Sequence, residues 1–289
     1  MSLATQAVFR RKILEVKHLP PLSVTANRLL EVTANPDAEI DEIAGIIGRD
    51  PGLSARILGL ANAAYFASAQ PVTTVREAII RVLGLNMVKS LALSMAMCGS
   101  FKTGDCKAFD LEDYWRHALG CAVLSRMLAL KAKPEPGPDP DSLYLCGLMH
   151  NLGLLVLAYV FPAPLSAALA EAKEAPDADV LMLEREHIGI DHIEAGEWLS
   201  HRWHLPEIVV HAIGSLNRDD YSGPFQNEVV IVSRAAHWVR RYLAGEGSGL
   251  QDDEALCRLQ GLDKQMLAGV EEAFLHQCEE LQALSRMLG

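Results

Sequence analysis

The chain has 289 residues, of which half are hydrophobic and 6% aromatic, so it can bury one large core or two compact domains. Its formal net charge of −11 argues against a protein that binds nucleic-acid backbones, because that affinity comes from clustered Lys and Arg. The six cysteines include no CxxC pair and lie mostly in helical patterns, which favours the reducing cytoplasm over a disulfide framework.

The first third of the chain predicts short helices with clear start signals. Ser23 is a predicted N-cap, and Asp50 is another, followed by proline at the first helical position. Thr74 and Glu77 have the spacing of a capping box ahead of an apolar run. We therefore predict a bundle of about five helices over residues 1–108.

The polar stretch KTGDCKAFD marks the predicted boundary to a second helical domain, residues 109–289. A long amphipathic helix that carries His117 begins it. The apolar run 145–161 approaches membrane-spanning length, but His150 and Asn151 lie at its centre, so a buried core helix is predicted. An apolar stripe over residues 267–288 predicts one more packed helix, with a dimer contact left open.

Four histidines on four different predicted helices raise the question of a metal site. They are His117, His150, His192 and His237. A two-metal phosphohydrolase site needs imidazoles and also carboxylates, because hard divalent ions prefer anionic oxygen ligands. The residue after His150 is Asn151, which is an amide and not a carboxylate.

Several phrases of the chain resemble the HDOD (HD-related output domain) proteins of bacteria. They span roughly residues 15–240 and read LPPLS, DPGLSARILGLANAAYF, AIIRVLGLNMVKSLAL, YWRHALGCAVLSRMLA, GLMHNLGLLVL and DHIEAGEWLSHRWHLPEIVVHAI. Because several phrases agree in order, the resemblance is more specific than any single motif. It implies an all-α protein in which an N-terminal helical bundle packs on a helical half akin to HD phosphohydrolases.

The resemblance also implies roles for individual positions. His117 matches the first ligand histidine of the HD superfamily, and His150 matches the histidine of its paired motif. Asn151 stands at the position of the catalytic aspartate. His192 matches an additional histidine of the related HD-GYP phosphodiesterases, and His237 replaces the terminal aspartate.

Both carboxylates of the inherited pattern are therefore replaced. Neutral imidazoles cannot offset two divalent charges in a helical core, so we expect no hydrolysis, no bound metal and no cofactor. Asn151 is expected instead to tie His150 and nearby backbone into a polar network. His187, Asp191 and His192 could suggest a second metal site, but a solvated helix end is the preferred interpretation.

The functional hypothesis is a catalytically silent signalling module. As an HDOD-like protein it would bind other signalling proteins in a two-component or cyclic-dinucleotide pathway, with a small ligand in the residual cavity left open. The alternative is a metal-dependent phosphohydrolase in which Asp191 or Glu194 joins the four histidines as a ligand. A nucleic-acid-binding role is not expected, because the helix-turn-helix-like segment AIIRVLGLNMVKSLAL is too apolar for an exposed recognition helix. No membrane association is expected.

Overall fold

Local capping signals begin the helices of the N-terminal part as the sequence predicts. In this computed structural model Ser23 Oγ accepts the Ala26 N–H at 3.0 Å, and Asp50 Oδ1 accepts the Leu53 N–H at 3.0 Å. Thr74 Oγ1 accepts the Glu77 N–H at 3.1 Å, while the Glu77 carboxylate bonds the N–H of Thr73. The structure describes residues 19–33, 35, 37–63, 70–134, 137–175, 178–218, 220–246 and 249–289, except for the side chain of Leu259.

Five α-helices lie within the described residues of the N-terminal part. They are α1 Val24–Thr33, α2 Ile40–Gly48, α3 Pro51–Ala61, α4 Val75–Ala78, which continues as a π-helical turn Ile79–Leu83, and α5 Leu85–Cys98. Lys89 on α5 is buried, with Nζ 3.4 Å from the Asn35 carbonyl oxygen. The apolar segment with helix-turn-helix character is thus a core helix.

The second part continues with helices throughout. They are α6 Leu111–Ala129, α7 Pro140–Met149, α8 Leu152–Val160, α9 Pro162–Glu174, α10 Val180–His187, α11 His192–Arg202, α12 Glu207–Gly214, α13 Gln226–Leu243, α14 Glu254–Gln260, α15 Lys264–Leu275 and α16 Cys278–Leu288. A short 3₁₀ turn, Leu250–Asp252, precedes α14. Over the described ranges the chain forms no β-strand, which confirms the all-α prediction.

One continuous apolar core joins the two parts. Its buried side chains extend from Ala26 on α1 to Leu288 on α16. Helix α5 packs on α7, and α16 packs on both α6 and α3. The predicted boundary near residue 108 falls in the loop between α5 and α6, but the core does not divide there. The division into 1–108 and 109–289 stays a prediction.

Two predicted helices are each divided in the structure. The apolar run 145–161 is split by a turn at His150–Asn151, and the final stripe is split between Leu275 and Cys278. By length and composition Pro140–Val160 could cross a membrane, but 78% of its apolar window is buried inside the protein. It is the central helix pair of the core.

Candidate functional site

A cavity of about 310 Å³ in the second part brings together all five predicted site residues. His117 comes from α6, His150 and Asn151 from the turn between α7 and α8, His192 from the start of α11, and His237 from α13. The sequence identified these residues, and the folding of four distant segments makes them neighbours.

Two glycines allow the helices that carry these residues to approach closely. A Cβ atom on Gly147 would lie 2.4 Å from Ala122 Cα, where α7 crosses α6. A Cβ atom on Gly153 would lie 1.7 Å from the His192 carbonyl oxygen, where α8 meets α11. Because even one methyl group would collide with backbone, these crossings need glycine. They place the His150–Asn151 turn against both α6 and α11.

His150 lies on the floor of the cavity and is 4% exposed. Its Nδ1 is 2.7 Å from the Gly147 carbonyl oxygen, which can only accept, so Nδ1 carries the proton. Nε2 is then left as an acceptor. Burial lowers the pKa of His150 to about 3, against the opposing effect of the Gly147 bond. The imidazole is therefore neutral at ordinary pH.

Asn151 does not form the polar network that was predicted for it. Its side chain makes no cap at the start of α8 and no hydrogen bond to another described residue. The backbone of α7, through Gly147, orients His150 instead. The physical reason is that the ring folds back over the last turn of its own helix, where an unpaired carbonyl is available.

His192 is held by a buried carboxylate that the sequence analysis missed. Both oxygens of Glu184 lie within hydrogen-bonding distance of His192 Nδ1, at 2.8 and 2.9 Å, and Glu184 is 0% exposed. Oε2 also accepts the His192 backbone N–H at 2.8 Å. Burial favours the neutral ring, but the charge and hydrogen bonds of Glu184 outweigh it and raise the pKa of His192.

A signal in the sequence could have identified Glu184. It lies at helical spacing between the buried Leu181 on α10 and the buried Ile188, which follows the end of that helix. An acid on such a stripe must find a partner when it is buried. The pattern LMLEREHIGIDH places that partner eight residues further on, beyond the end of α10.

The start of α11 is not the solvated helix end that was predicted. Asp191 is 1% exposed, forms an ion pair with Arg185, and caps the helix by accepting the Glu194 N–H at 2.8 Å. His187 is turned away, with Nε2 2.9 Å from Glu171. The interpretation was wrong because tertiary packing, which buries Asp191, is invisible in the local pattern.

The two remaining histidines lie nearer the entrance. Burial lowers the pKa of His117, and Asp113, 3.7 Å from its Nε2, only partly opposes this. His237 is exposed, with Nδ1 3.3 Å from Arg240 Nη2, so the guanidinium donates to the ring. Lys173 and Arg240 are both exposed and line the cavity, so they bring two cations to its mouth.

The side chains at the cavity do not fit a pair of divalent ions. Its acids are Asp110, Asp113 and Glu184, and each is already engaged. Asp110 caps α6, Asp113 bonds Arg116 at 2.7 Å, and Glu184 bonds His192. In the portion that the structure describes, no three His, Cys, Asp or Glu side chains converge as metal ligands. Hard ions need anionic oxygen ligands, and the carboxylates of this cavity are already bonded to other protein groups.

Three solved structures share this fold and part of the sequence. A candidate signal transduction protein from Marinobacter aquaeolei VT8 is 26% identical with a TM-score of 0.81, covering 98% of this chain and 66% of its own. A candidate phosphohydrolase from Shewanella amazonensis SB2B is 26% identical with a TM-score of 0.75, covering 98% of both chains. The MmoQ response regulator from Methylococcus capsulatus str. Bath is 30% identical with a TM-score of 0.50, covering 88% of this chain and 98% of its own.

Family membership follows from the sequence as well. An uncharacterized protein of Treponema pallidum (strain Nichols) is 28% identical over 235 residues, and this chain spans 44% of its length. The HDOD domain family matches residues 19–218, more than half of the chain and across both parts of the fold. The chain belongs to the HDOD family.

Proposed function

We propose that this chain is a non-catalytic regulatory module of bacterial signal transduction. The observation that carries the proposal is the state of the cavity's acids. The three acids that line the cavity are each bonded to a protein group, and the resemblance implies that Asn151 and His237 replace the carboxylates of the HD pattern. A site without a free carboxylate lacks the ligands that a hydrolytic metal pair requires.

The signalling part of the proposal is supported by the relatives. The Marinobacter protein is named for signal transduction and MmoQ for response regulation, and both align with most of this chain. In this role the helical scaffold would bind other signalling proteins in the cytoplasm and pass on the state of its cavity. Because fold alone does not establish function, this rests on the site and the relatives together.

A metal-dependent phosphohydrolase is the second candidate, and one observation favours it. His150 donates Nδ1–H to a backbone carbonyl and His192 donates Nδ1–H to a carboxylate. Metal-binding histidines are commonly held in this way, which leaves Nε2 for the ion. The Shewanella relative, named as a candidate phosphohydrolase, aligns over nearly its whole length. The notion that Asp191 or Glu194 would complete the site is weakened by the ion pair of Asp191 with Arg185.

Elemental analysis of the untagged protein, produced with manganese and iron supplied and dialysed against a weak chelator, tests the choice. We expect a metal content near zero and no release of phosphate from a panel of phosphomonoesters and phosphodiesters. One or two retained ions per chain, with hydrolysis that is lost in His150→Gln, would overturn the non-catalytic proposal.

A genetic experiment tests the regulatory role independently. A strain lacking the gene is complemented with the wild type or with His117→Gln, and the amount of each protein is measured. If the chain acts without catalysis, His117→Gln restores the phenotype at equal protein levels. Loss of complementation by a folded, equally abundant variant would favour the enzyme if the purified wild type also releases phosphate and the variant does not.

A further inference from the structure

We propose that the cavity binds a small organic anion that has an apolar or aromatic body, with its charged group at the mouth. This deepens and rests on the proposed function, because it names the chemical class of the ligand whose binding the module would report. Three features of the cavity support this ligand: the charge of the mouth, the lining of the interior and the chemistry of the floor.

The mouth carries two cations that form no ion pair with an acid in the described part of the chain. Lys173 on α9 and Arg240 on α13 are exposed there, and neither has an acidic partner among the described residues. Of the two acids beside them, Asp113 has a cationic partner, and Asp110 keeps its charge but is directed at the N-terminus of α6. Asp110 accepts the N–H groups of Glu112 and Asp113 at 2.8 and 3.2 Å, and Asp113 is paired with Arg116. A carboxylate or phosphate group arriving at Arg240 therefore meets a cation that is available for a charge-assisted bond.

The interior is lined mainly by apolar side chains. Phe109, Tyr114, Leu154, Leu169, Leu181 and Leu216 contribute to it. The volume of about 310 Å³ lies at the lower end of the range of ligand pockets, roughly 300–1,000 Å³. Such a space fits one ring or a short branched chain, which would gain by leaving water. A bare inorganic ion would make no apolar contact with these side chains.

The floor disfavours a second negative charge. Nδ1 of His150 donates to the Gly147 carbonyl, so its Nε2 presents a lone pair. His192 and the fully buried Glu184 form an ion pair, so together they add no net charge to the floor. An anionic group placed deep in the cavity would face the Nε2 acceptor of His150 and a neutral ion pair, with no uncompensated cation among the described residues to bind it. The same group at Arg240 and Lys173 would face two cationic donors. This difference orients the ligand with its charged group at the mouth.

Arg240 is the best residue for a test because its neighbour is a matched control. Arg241 is on the same helix, pairs with Glu246 at 3.2 Å, and does not line the cavity. Arg240→Met and Arg241→Met make the same change in charge and size. Only the first removes a cation from the mouth, and neither residue belongs to the buried core.

Four probes separate the requirements of the ligand. Benzoate and phenyl phosphate combine an anion with a ring, inorganic phosphate has only the anion, and benzyl alcohol has only the ring. Binding is followed by NMR titration of the full chain, with the histidine ring resonances as reporters. Phosphate release from phenyl phosphate is monitored in the same samples.

We expect saturable binding of benzoate, phenyl phosphate or both, at least tenfold tighter than binding of phosphate or benzyl alcohol. Preference between the first two distinguishes a carboxylate from a phosphate ligand. Arg240→Met should weaken binding about tenfold, as expected for loss of a charge-assisted bond, whereas Arg241→Met should change it less than twofold. Lys173→Met should also weaken binding.

The ligand proposal is overturned if none of the four probes saturates, if benzyl alcohol binds as tightly as benzoate, or if Arg241→Met has the effect of Arg240→Met. Those results would not contradict the proposed non-catalytic role. Saturable binding of phenyl phosphate followed by its hydrolysis would support the proposed ligand class but would contradict the non-catalytic role.

Discussion

The carboxylate of Glu184, wholly buried on α10, lies 2.8 Å from Nδ1 of His192 at the start of α11. The same carboxylate accepts the backbone N–H of His192, so it fixes both the ring and the helix start. A buried charge is costly unless it is paired and hydrogen bonded, and here both conditions are met. This pair forms one side of the cavity floor.

Replacing Glu184 with Gln should destabilise the fold by about 2–4 kcal/mol, because His192 would lose its counter-charge in a buried position. Urea unfolding measures the loss. The matched control is Glu171→Gln, which alters an exposed carboxylate bonded to His187 and should cost less than about 1 kcal/mol. Equal losses in the two variants would contradict a special role for the buried pair.

The same variant should change the titration of His192. Glu184 raises the folded pKa of this ring above 6.5, so the pair's contribution to stability is complete below pH 6.5 and is lost as pH rises through the folded pKa. NMR should show His192 titrating above the usual range in the wild type and lower in Glu184→Gln. An unchanged midpoint would show that Glu184 does not set the charge of the ring.

His150 should produce the opposite pH dependence. Its folded pKa is about 3 and its unfolded value is near 6.5, so below pH 6.5 the unfolded chain binds a proton that the native state rejects. Stability should therefore fall on acidification, by about 1.4 kcal/mol per pH unit at most, or about 2 kcal/mol at pH 5. His150→Gln should show a shallower loss between pH 6.5 and 5. Parallel profiles of stability against pH for the wild type and His150→Gln would contradict this prediction.

Gly153→Ala should separate α8 from α11 and destabilise the protein by about 3 kcal/mol or more, because the new methyl group would overlap the His192 carbonyl oxygen. Gly269→Ala is the control. It makes the same change inside α15, where a Cβ atom meets nothing within 4 Å, and should stabilise by about 0.5–1 kcal/mol. Thermal unfolding distinguishes the expected loss of stability in Gly153→Ala from the expected gain in Gly269→Ala. A tolerated Gly153→Ala would mean that the crossing is not tight.

The C-terminal helices lie beyond the family match at residues 19–218, yet α16 packs on α6, which carries His117, and on α3. Leu284→Ala should cost about 2–5 kcal/mol, because this side chain is 2% exposed in the shared core. Leu275→Ala makes the same truncation at a position that is 38% exposed and should cost less than about 1 kcal/mol. If chemical denaturation shows similar losses, α16 is not an integral part of the core.

Local chemistry explains why much of the fold could be predicted. Asp50 and Thr74 cap helices through backbone groups three residues away, and such contacts depend on adjacent sequence alone. The division of the last segment near Gln277 was missed, because the apolar stripe continues across it at helical spacing. A short break in a helix leaves little trace when both halves face the same core.

The sequence by itself determined the helical class, the family resemblance and the residues that meet in the cavity, since helical periodicity and ordered motifs are properties of the chain. Only the tertiary structure decided how those residues are held. Glu184 reaches His192 across a helix end, Gly153 lets two helices touch, and Arg240 comes to the mouth from a distant segment. Burial and charge at one place depend on everything packed around it, and no local pattern contains that information.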